Sequence, residues 1–230
     1  MARIVKSATD RQDEILDVAL KLFAERGYSN TSVQAIINTI GIAKGTFYHH
    51  FSSKDALLDA LIQRWIQFSL NLVQPLIDDP NMGAIEKLVG FYQRIGAWKV
   101  SQRALMLDVA RAMNDDSNAL MQKRNTQATL DTFSPLLARI IEQGVQEGSF
   151  QTSFPSETAQ IVMEVTAALS RKLSTAMSNH QDVSLPELEA TLDAQQETIE
   201  RILGAPAGSI SIIDRSHLAL WAEAAKEGPQ

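Results

Sequence analysis

Residues 41–54 read Gly-Ile-Ala-Lys-Gly-Thr-Phe-Tyr-His-His-Phe-Ser-Ser-Lys. The spacing predicts a short helix over about 43–50, with Lys44 and Gly45 in its first turn. Both residues are locally unfavourable there. A cation meets the positive end of the helix macrodipole, and Gly costs about 1 kcal/mol relative to Ala inside a helix. A phosphate reverses both penalties. The free N–H groups, the dipole and the Lys44 ammonium then converge on one anion, and Gly45 puts no side chain in its way. Thr46, His49 and His50 follow at i, i+3 and i+4 and share a face that can meet base edges. Tyr48 lies on a flank beside Lys44, with its phenol in reach of a phosphate. His50 points either to that face or back to the scaffold. Thr31, Ser32 and Lys54 stand at the starts of neighbouring helices, which suits further phosphate contacts. The chemistry expected is nucleic-acid binding.

These residues need a frame. A helix over about 9–26 carries an apolar stripe of Ile15, Val18, Ala19, Leu22 and Phe23, and Gly27 ends it. Thr31 or Ser32 caps a short helix holding Val33, Ile36, Ile37 and Ile40; Gly41 makes the turn. Phe47 and Phe51 are four apart and face inward, onto Ile40 and Ile42. Ser52 or Ser53 caps a long helix to about 72, where Pro75 limits it. Two short helices about a glycine turn, behind a longer amphipathic one, form a helix-turn-helix. Its second helix is the one that enters the DNA major groove.

The remaining periodicity is also helical, over about 82–95, 97–113, 117–147, 156–178 and 185–203, with a tail helix over about 212–226. The fold class expected is all-α. The organisation expected is a DNA-binding unit over 1–53, a ligand-binding and dimerisation body over 54–205, and a tail over 206–230. The chain of 230 residues is 45% hydrophobic with a net charge of -6, so it is no wholly basic coat protein. Residues 1–64 nonetheless carry eight Lys/Arg against seven Asp/Glu, which points anion binding to this end. There is no cysteine, hence no disulfide and no thiolate metal site. No apolar run approaches the ~18 residues of a membrane span, and the first residues lack the apolar stretch of a signal peptide. A soluble cytoplasmic protein is expected, with no membrane contact.

The stretch TSVQAIINTIGIAKGTFYHHFSSKDALLDAL, with ILDVALKLFAERGYSNTSV before it, resembles the DNA-binding part of the TetR family of bacterial transcriptional repressors. The positions that match the family pattern are Thr31, Ile36, Gly41, Lys44, Gly45, Tyr48, His50, Phe51, Ser53, Lys54 and Leu57. Ile37 and Ile40 stand where small alanines are usual. Ala43 replaces the usual serine and removes a cap worth ~1 kcal/mol. The resemblance implies a homodimer on a palindromic DNA operator, released by a small-molecule effector. It also implies a dimer contact through the last two main helices, here about 156–178 and 185–203. The stripes fit: Ile161, Val165, Leu169 and Leu173 on the first, Leu188, Leu192, Ile199 and Ile202 on the second. One helix-turn-helix reads few base pairs, whereas a symmetric pair about 34–36 Å apart reads two half-sites.

An effector pocket would draw on Trp65, Phe68, Phe91, Trp98, Met106, Met113, Phe133 and Met163, with Gln93, Arg103 or Asp108 as its polar handle. Each of these large side chains is also ordinary core material. The N-terminal cations Arg3, Lys6 and Arg11 form either a minor-groove arm or a frayed end. His49 and His50 diverge by about 100° on a helix and do not make a metal site; no metal or cofactor is expected. No nucleophile–base pair at recognisable spacing speaks for an enzyme. A structural DNA-binding dimer without effector is the alternative to the ligand-responsive repressor. The tail helix, with Ile212, Ile213, Leu220 and Trp221, either packs on the body or covers a pocket or a dimer seam.

Overall fold

The Ser7 hydroxyl accepts from the Asp10 N–H, and the Asp10 carboxylate accepts from the Ser7 N–H. This reciprocal capping box starts the first helix. The computed structural model describes residues 7–102, 106, 119–178 and 184–226, and the regular structure among them is helical. In order these helices are α1 (Ala8–Arg26), α2 (Val33–Ile40), α3 (Lys44–His50), α4 (Lys54–Ile77), α5 (Ala84–Ser101), α6 (Ala119–Glu147), α7 (Pro155–Ser178), α8 (Leu185–Leu203) and α9 (Arg215–Lys226).

The Ser32 and Ser53 hydroxyls accept from the Ala35 and Ala56 N–H groups and cap α2 and α4. Gly41 closes α2 in the left-handed region, at φ 76°, where a side chain is strained. That turn brings α3 back onto α1 and α4. Ile15, Ala19 and Phe23 of α1, Ile36 of α2, Phe47 of α3 and Leu57, Leu58 and Leu61 of α4 are all fully buried in one cluster. Phe51, also buried, adds a ring 5.9 Å from Phe47. The inward pair at 47 and 51 is as its spacing of four demands.

Three boundaries differ from those the sequence suggests. α4 runs through Pro75 to Ile77. Pro75 is exposed and sits in the last turn, so its missing N–H removes one bond while Val73, Leu76 and Ile77 stay buried around it. α5 continues past Gly96 to Ser101 instead of breaking there. The penalty for Gly96 is offset by packing of Trp98 on Phe68 of α4, with ring centroids 4.4 Å apart. The last helix begins only at Arg215, because Ile210 and Ile212 are buried in an extended segment. Its N–H groups at Ile210 and Ile212 donate to Glu200 and Gln196 of α8.

The body packs α4, α5, α6, α7 and α8 together, and α9 lies over α5, α7 and α8. Gly144 of α6 shows how tight the join is, since a Cβ there would fall 2.0 Å from the Phe150 ring. Leu218 and Ala222 of α9 are buried in the same apolar cluster as the body. Among the described residues no helix is long and apolar enough to cross a membrane.

Candidate nucleic-acid interface

α3 begins without a side-chain cap. Ala43 has extended backbone and no hydroxyl to offer the first turn. The Thr46 and Phe47 N–H groups bond to the Ala43 carbonyl, whereas those of Lys44 and Gly45 have no acceptor among the described residues. The helix therefore presents unpaired donors and a positive dipole end outward. A Cβ added at Gly45 would meet nothing within 4 Å. Internal packing does not require glycine there, so the open space faces outward, where another molecule can approach.

Lys44, Gly45, Tyr48 and His49 are exposed, Thr46 and His50 partly so. The Lys44 ammonium lies 5.8 Å from the Tyr48 ring centroid, so the two form one basic, aromatic flank. The His49 and His50 rings meet edge to face at 5.2 Å. Desolvation, with the neighbouring His49 and Arg11 charges, holds His50 below the usual imidazole range. α3 thus buries Phe47 and turns the rest of its surface outward.

The helix starts on either side are less uniform than the sequence suggests. The Ser32 hydroxyl is exposed but caps α2. Thr31 requires a correction. It is 1% exposed, and its hydroxyl donates to the Leu22 and Gly27 carbonyls at 3.2 and 2.9 Å. It ties α1 to the turn before α2 and cannot reach a phosphate. The Lys54 ammonium likewise donates to the Tyr28 and Thr31 carbonyls at 2.7 and 3.0 Å, which leaves one of its N–H groups for any other partner. Burial lowers its pKa from the ordinary lysine value.

Lys54 belongs to a linkage that the sequence did not reveal. Tyr28 donates its hydroxyl to Asp55, and burial together with Asp55 holds the phenol neutral. Arg124 of α6 reaches Asp59 at 2.9 Å and Asp55 at 3.7 Å. Arg64 of α4 reaches Asp17 of α1 at 2.8 Å and Asp13 at 3.6 Å. Exposed pairs of this kind are worth at most about 1 kcal/mol each. Their importance is positional: α4 is joined to the reading head at one side and to α6 at the other. No local pattern marks a pair separated by 65 residues.

The aromatic set of the body divides in two. Phe91 and Phe133 are 3% and 5% exposed, with ring centroids 5.9 Å apart, and belong to the close-packed core. Met106 is buried as well. Trp65, Trp98 and Met163 are only partly buried, and Phe68 is 43% exposed. Trp98 lies 5.5 Å from Trp65 as well as against Phe68, so these three rings form one accessible aromatic surface between α4 and α5. Met113, Arg103 and Asp108, like Arg3 and Lys6, lie outside the described residues. Gln93 points elsewhere and donates to the Ser211 carbonyl. A separate open cleft of about 730 Å³ lies by Met82, Gly90, Arg94 and Ser209; of its two acids, Glu86 and Glu147, the second already accepts from the Ala84 N–H.

The expected dimer stripe also needs correction. Leu169, Leu188, Leu192 and Ile199 are 0–1% exposed within their own chain, and Leu173 is buried too. They are the seam by which α7 and α8 pack on the body. Ile161 is 51% exposed, while Val165 and Ile202 are half-buried. The sequence gives the apolar stripe but not which side of each helix its own chain covers.

Comparison with known proteins agrees with this construction. The family model for bacterial regulatory proteins of the tetR family matches residues 15–61, and that for the tetracyclin repressor-like C-terminal domain matches residues 104–174. The chain is 28% identical over 160 residues to the HTH-type transcriptional repressor KstR2 of Rhodococcus jostii, covering 68% of this chain and 76% of the relative. It is 26% identical over 168 residues to the HTH-type transcriptional regulator UidR of Escherichia coli, covering 72% and 83%. Among solved structures, a TetR-family regulator of Pectobacterium atrosepticum superposes with a TM-score of 0.59 at 20% identity, covering 86% of this chain and 97% of that one. The ketosteroid transcriptional regulator KstR2 of Mycobacterium tuberculosis gives 0.50 at 21%, covering 88% and 97%. The likeness spans both the reading head and the helical body: this chain belongs to the TetR family of bacterial transcriptional regulators, DNA-binding proteins and not enzymes.

Proposed function

We propose that the protein is a homodimeric repressor that holds a palindromic operator through two copies of α3 and leaves it when a small, partly apolar effector binds the body. The observation that carries this reading is the outward surface of α3. An uncapped helix start, an exposed Lys44, an open Gly45 and a contiguous Thr46, Tyr48 and His49 have no partner among the described residues that accounts for them. Lys44, Tyr48 and Ser32 position the head on phosphates, and Thr46 and His49 touch base edges.

For the dimer, the outer faces of α7 and α8 are the suitable surfaces. Phe154 is 67% exposed, just before α7, and Ile161 follows on the helix. Ala168 of α7 and Ala190 and Ala194 of α8 are exposed small residues that allow close helix approach. A two-fold axis through this face joins the same patch of two chains.

α4 supplies the coupling. Its first turns hold Lys54, Asp55 and Asp59, its middle holds Arg64, and Trp65 and Phe68 reach the aromatic surface of the body. A molecule seated on those rings shifts α4 and therefore the separation of the two heads. The effector releases DNA only so far as it binds the shifted form more tightly, and a coupling of about 1–3 kcal/mol is typical. The test is selection of duplexes from genomic fragments by the purified protein, followed by a ligand screen for release. Failure to retain any duplex at low salt overturns the reading. Retention without release by any apolar compound leaves the alternative, a structural DNA-binding dimer.

A further inference from the structure

The two ends of α4 are fastened differently. Its last turns meet three cations from α5 and α6. The Lys87 ammonium of α5 donates to the Ile77 carbonyl at 2.8 Å, and Lys87 is 4% exposed. Arg139 of α6 donates to the Asp78 carboxylate at 3.0 Å, and Arg94 of α5 to the Leu72 carbonyl at 3.3 Å. Ile77 is the last residue of α4, where the helix itself supplies no further N–H for the carbonyl. Lys87 supplies the donor from across the fold. Asp78 caps the same end, so an acid meets the negative end of the macrodipole. Bonds from Gln74 and Arg139, with the Lys87 charge behind them, nonetheless hold its carboxyl below the usual carboxylate range. The helices also touch here: a Cβ at Gly90 of α5 would fall 2.3 Å from the Leu76 side chain.

The other end of α4 belongs to the reading head. Leu57, Leu58 and Leu61 share the buried cluster of Ile15, Phe23 and Phe47. The polar ties from these first turns to the body are the Arg124 pairs with Asp55 and Asp59, whose side chains are 57% and 60% exposed. Exposed pairs hold weakly, whereas a buried ammonium on a backbone carbonyl is costly to part from its acceptor. The head-bearing end is therefore the freer one. α4 has 24 residues and is about 36 Å long. A swing of about 5° around its C-terminal end moves the head by about 3 Å, close to the rise of one base pair.

We infer that Lys87 is the pivot of α4: a positioning residue that pins the C-terminal end of the helix to the body, so that α4 swings as one lever about Ile77 and the two heads of a dimer keep one separation. This rests on the homodimeric reading above.

The chain has no cysteine, so Lys21→Cys, at an exposed position of α1, carries a single spin label per head. Pulsed dipolar electron paramagnetic resonance on the full-chain dimer then reads the distance between the heads. The parent should give one narrow distribution. Lys87→Met should widen it at least twofold with dimer mass and helix content in place, and Lys87→Arg should narrow it again. Arg94→Ala, which removes only an exposed bond, should leave the width unchanged. Asp78→Asn combined with Arg139→Gln, a surface change, should widen it by a smaller factor, and that variant decides the matter if Lys87→Met does not fold. An unchanged width in the deciding variant, no narrowing by Lys87→Arg, or an equal widening by Arg94→Ala overturns the inference while the dimer stands. A parent chain with no head-to-head distance overturns the homodimeric reading, and the inference with it.

Discussion

Lys44→Ala should raise the stability of the free protein and lower its affinity for DNA. In the free chain Lys44 has no carboxylate partner among the described residues, and its ammonium lies 5.8 Å from the Tyr48 ring centroid. A cation–π contact at an exposed site is worth about 0.5–1 kcal/mol at best, and this distance is near its limit. Against it stands the repulsion of a cation at a helix N-terminus, about 0.3–1 kcal/mol, and the higher helix propensity of Ala. The free protein should therefore gain up to a few tenths of a kcal/mol, a rough balance of these terms. On DNA the sign reverses. Each lost phosphate contact lowers the slope of log K against log salt by about 0.9, and a symmetric dimer loses two, or about 1.8. Over a fourfold change of salt that is roughly a tenfold smaller loss of affinity for the variant than for the parent. Fluorescence anisotropy with a labelled duplex across a KCl series measures the slope, and thermal melting measures stability. An unchanged slope with lowered affinity, or a clear fall in melting temperature, refutes the argument that Lys44 is there for a phosphate.

Thr46→Ala and His49→Ala should relax sequence preference without changing the salt slope, as measured by selection from random duplexes; identical selected sites would remove both from base contact. Ala43→Ser restores a cap to α3 and should stabilise the protein by about 1 kcal/mol in a denaturant titration. Thr31→Val leaves two carbonyl acceptors, Leu22 and Gly27, without their donor and should cost about 1–3 kcal/mol with the salt slope intact. Ile161→Glu should weaken the dimer by at least tenfold in sedimentation equilibrium and leave the fold intact, whereas Leu188→Glu, at a fully buried position, should unfold the chain. Arg124→Ala should reduce release of DNA by effector while leaving DNA affinity nearly unchanged, because it removes the α6 contact to Asp55 and Asp59 and no groove-facing group.

The reading head was legible because its signals are local. Ser32 and Ser53 cap helices, Gly41 turns the chain, and Phe47 and Phe51 recur at a spacing that can only be inward. A misfit such as Lys44 beside Gly45 is visible in sequence because local rules make it a misfit. Thr31 was misread because a hydroxyl near a helix start looks the same whether it faces solvent or the Leu22 carbonyl. The continuity of α4 through Pro75 and of α5 through Gly96 was hidden because tertiary packing outweighs helix propensity at both places. In α7 and α8 periodicity gave an apolar stripe, yet a stripe cannot say whether its own chain or a second copy covers it.

The central claim is that two outward-facing α3 helices, held at a fixed separation by a dimer of the body, dock on one face of a duplex. Half-site spacing tests it most directly. With an operator selected by the protein itself, insertion of about five base pairs between the half-sites puts them on opposite faces of the duplex. The account predicts two chains per unmodified site and a loss of affinity to the level of non-specific DNA after the insertion. Undiminished affinity for the lengthened site, or one chain per site on the parent operator, would contradict it.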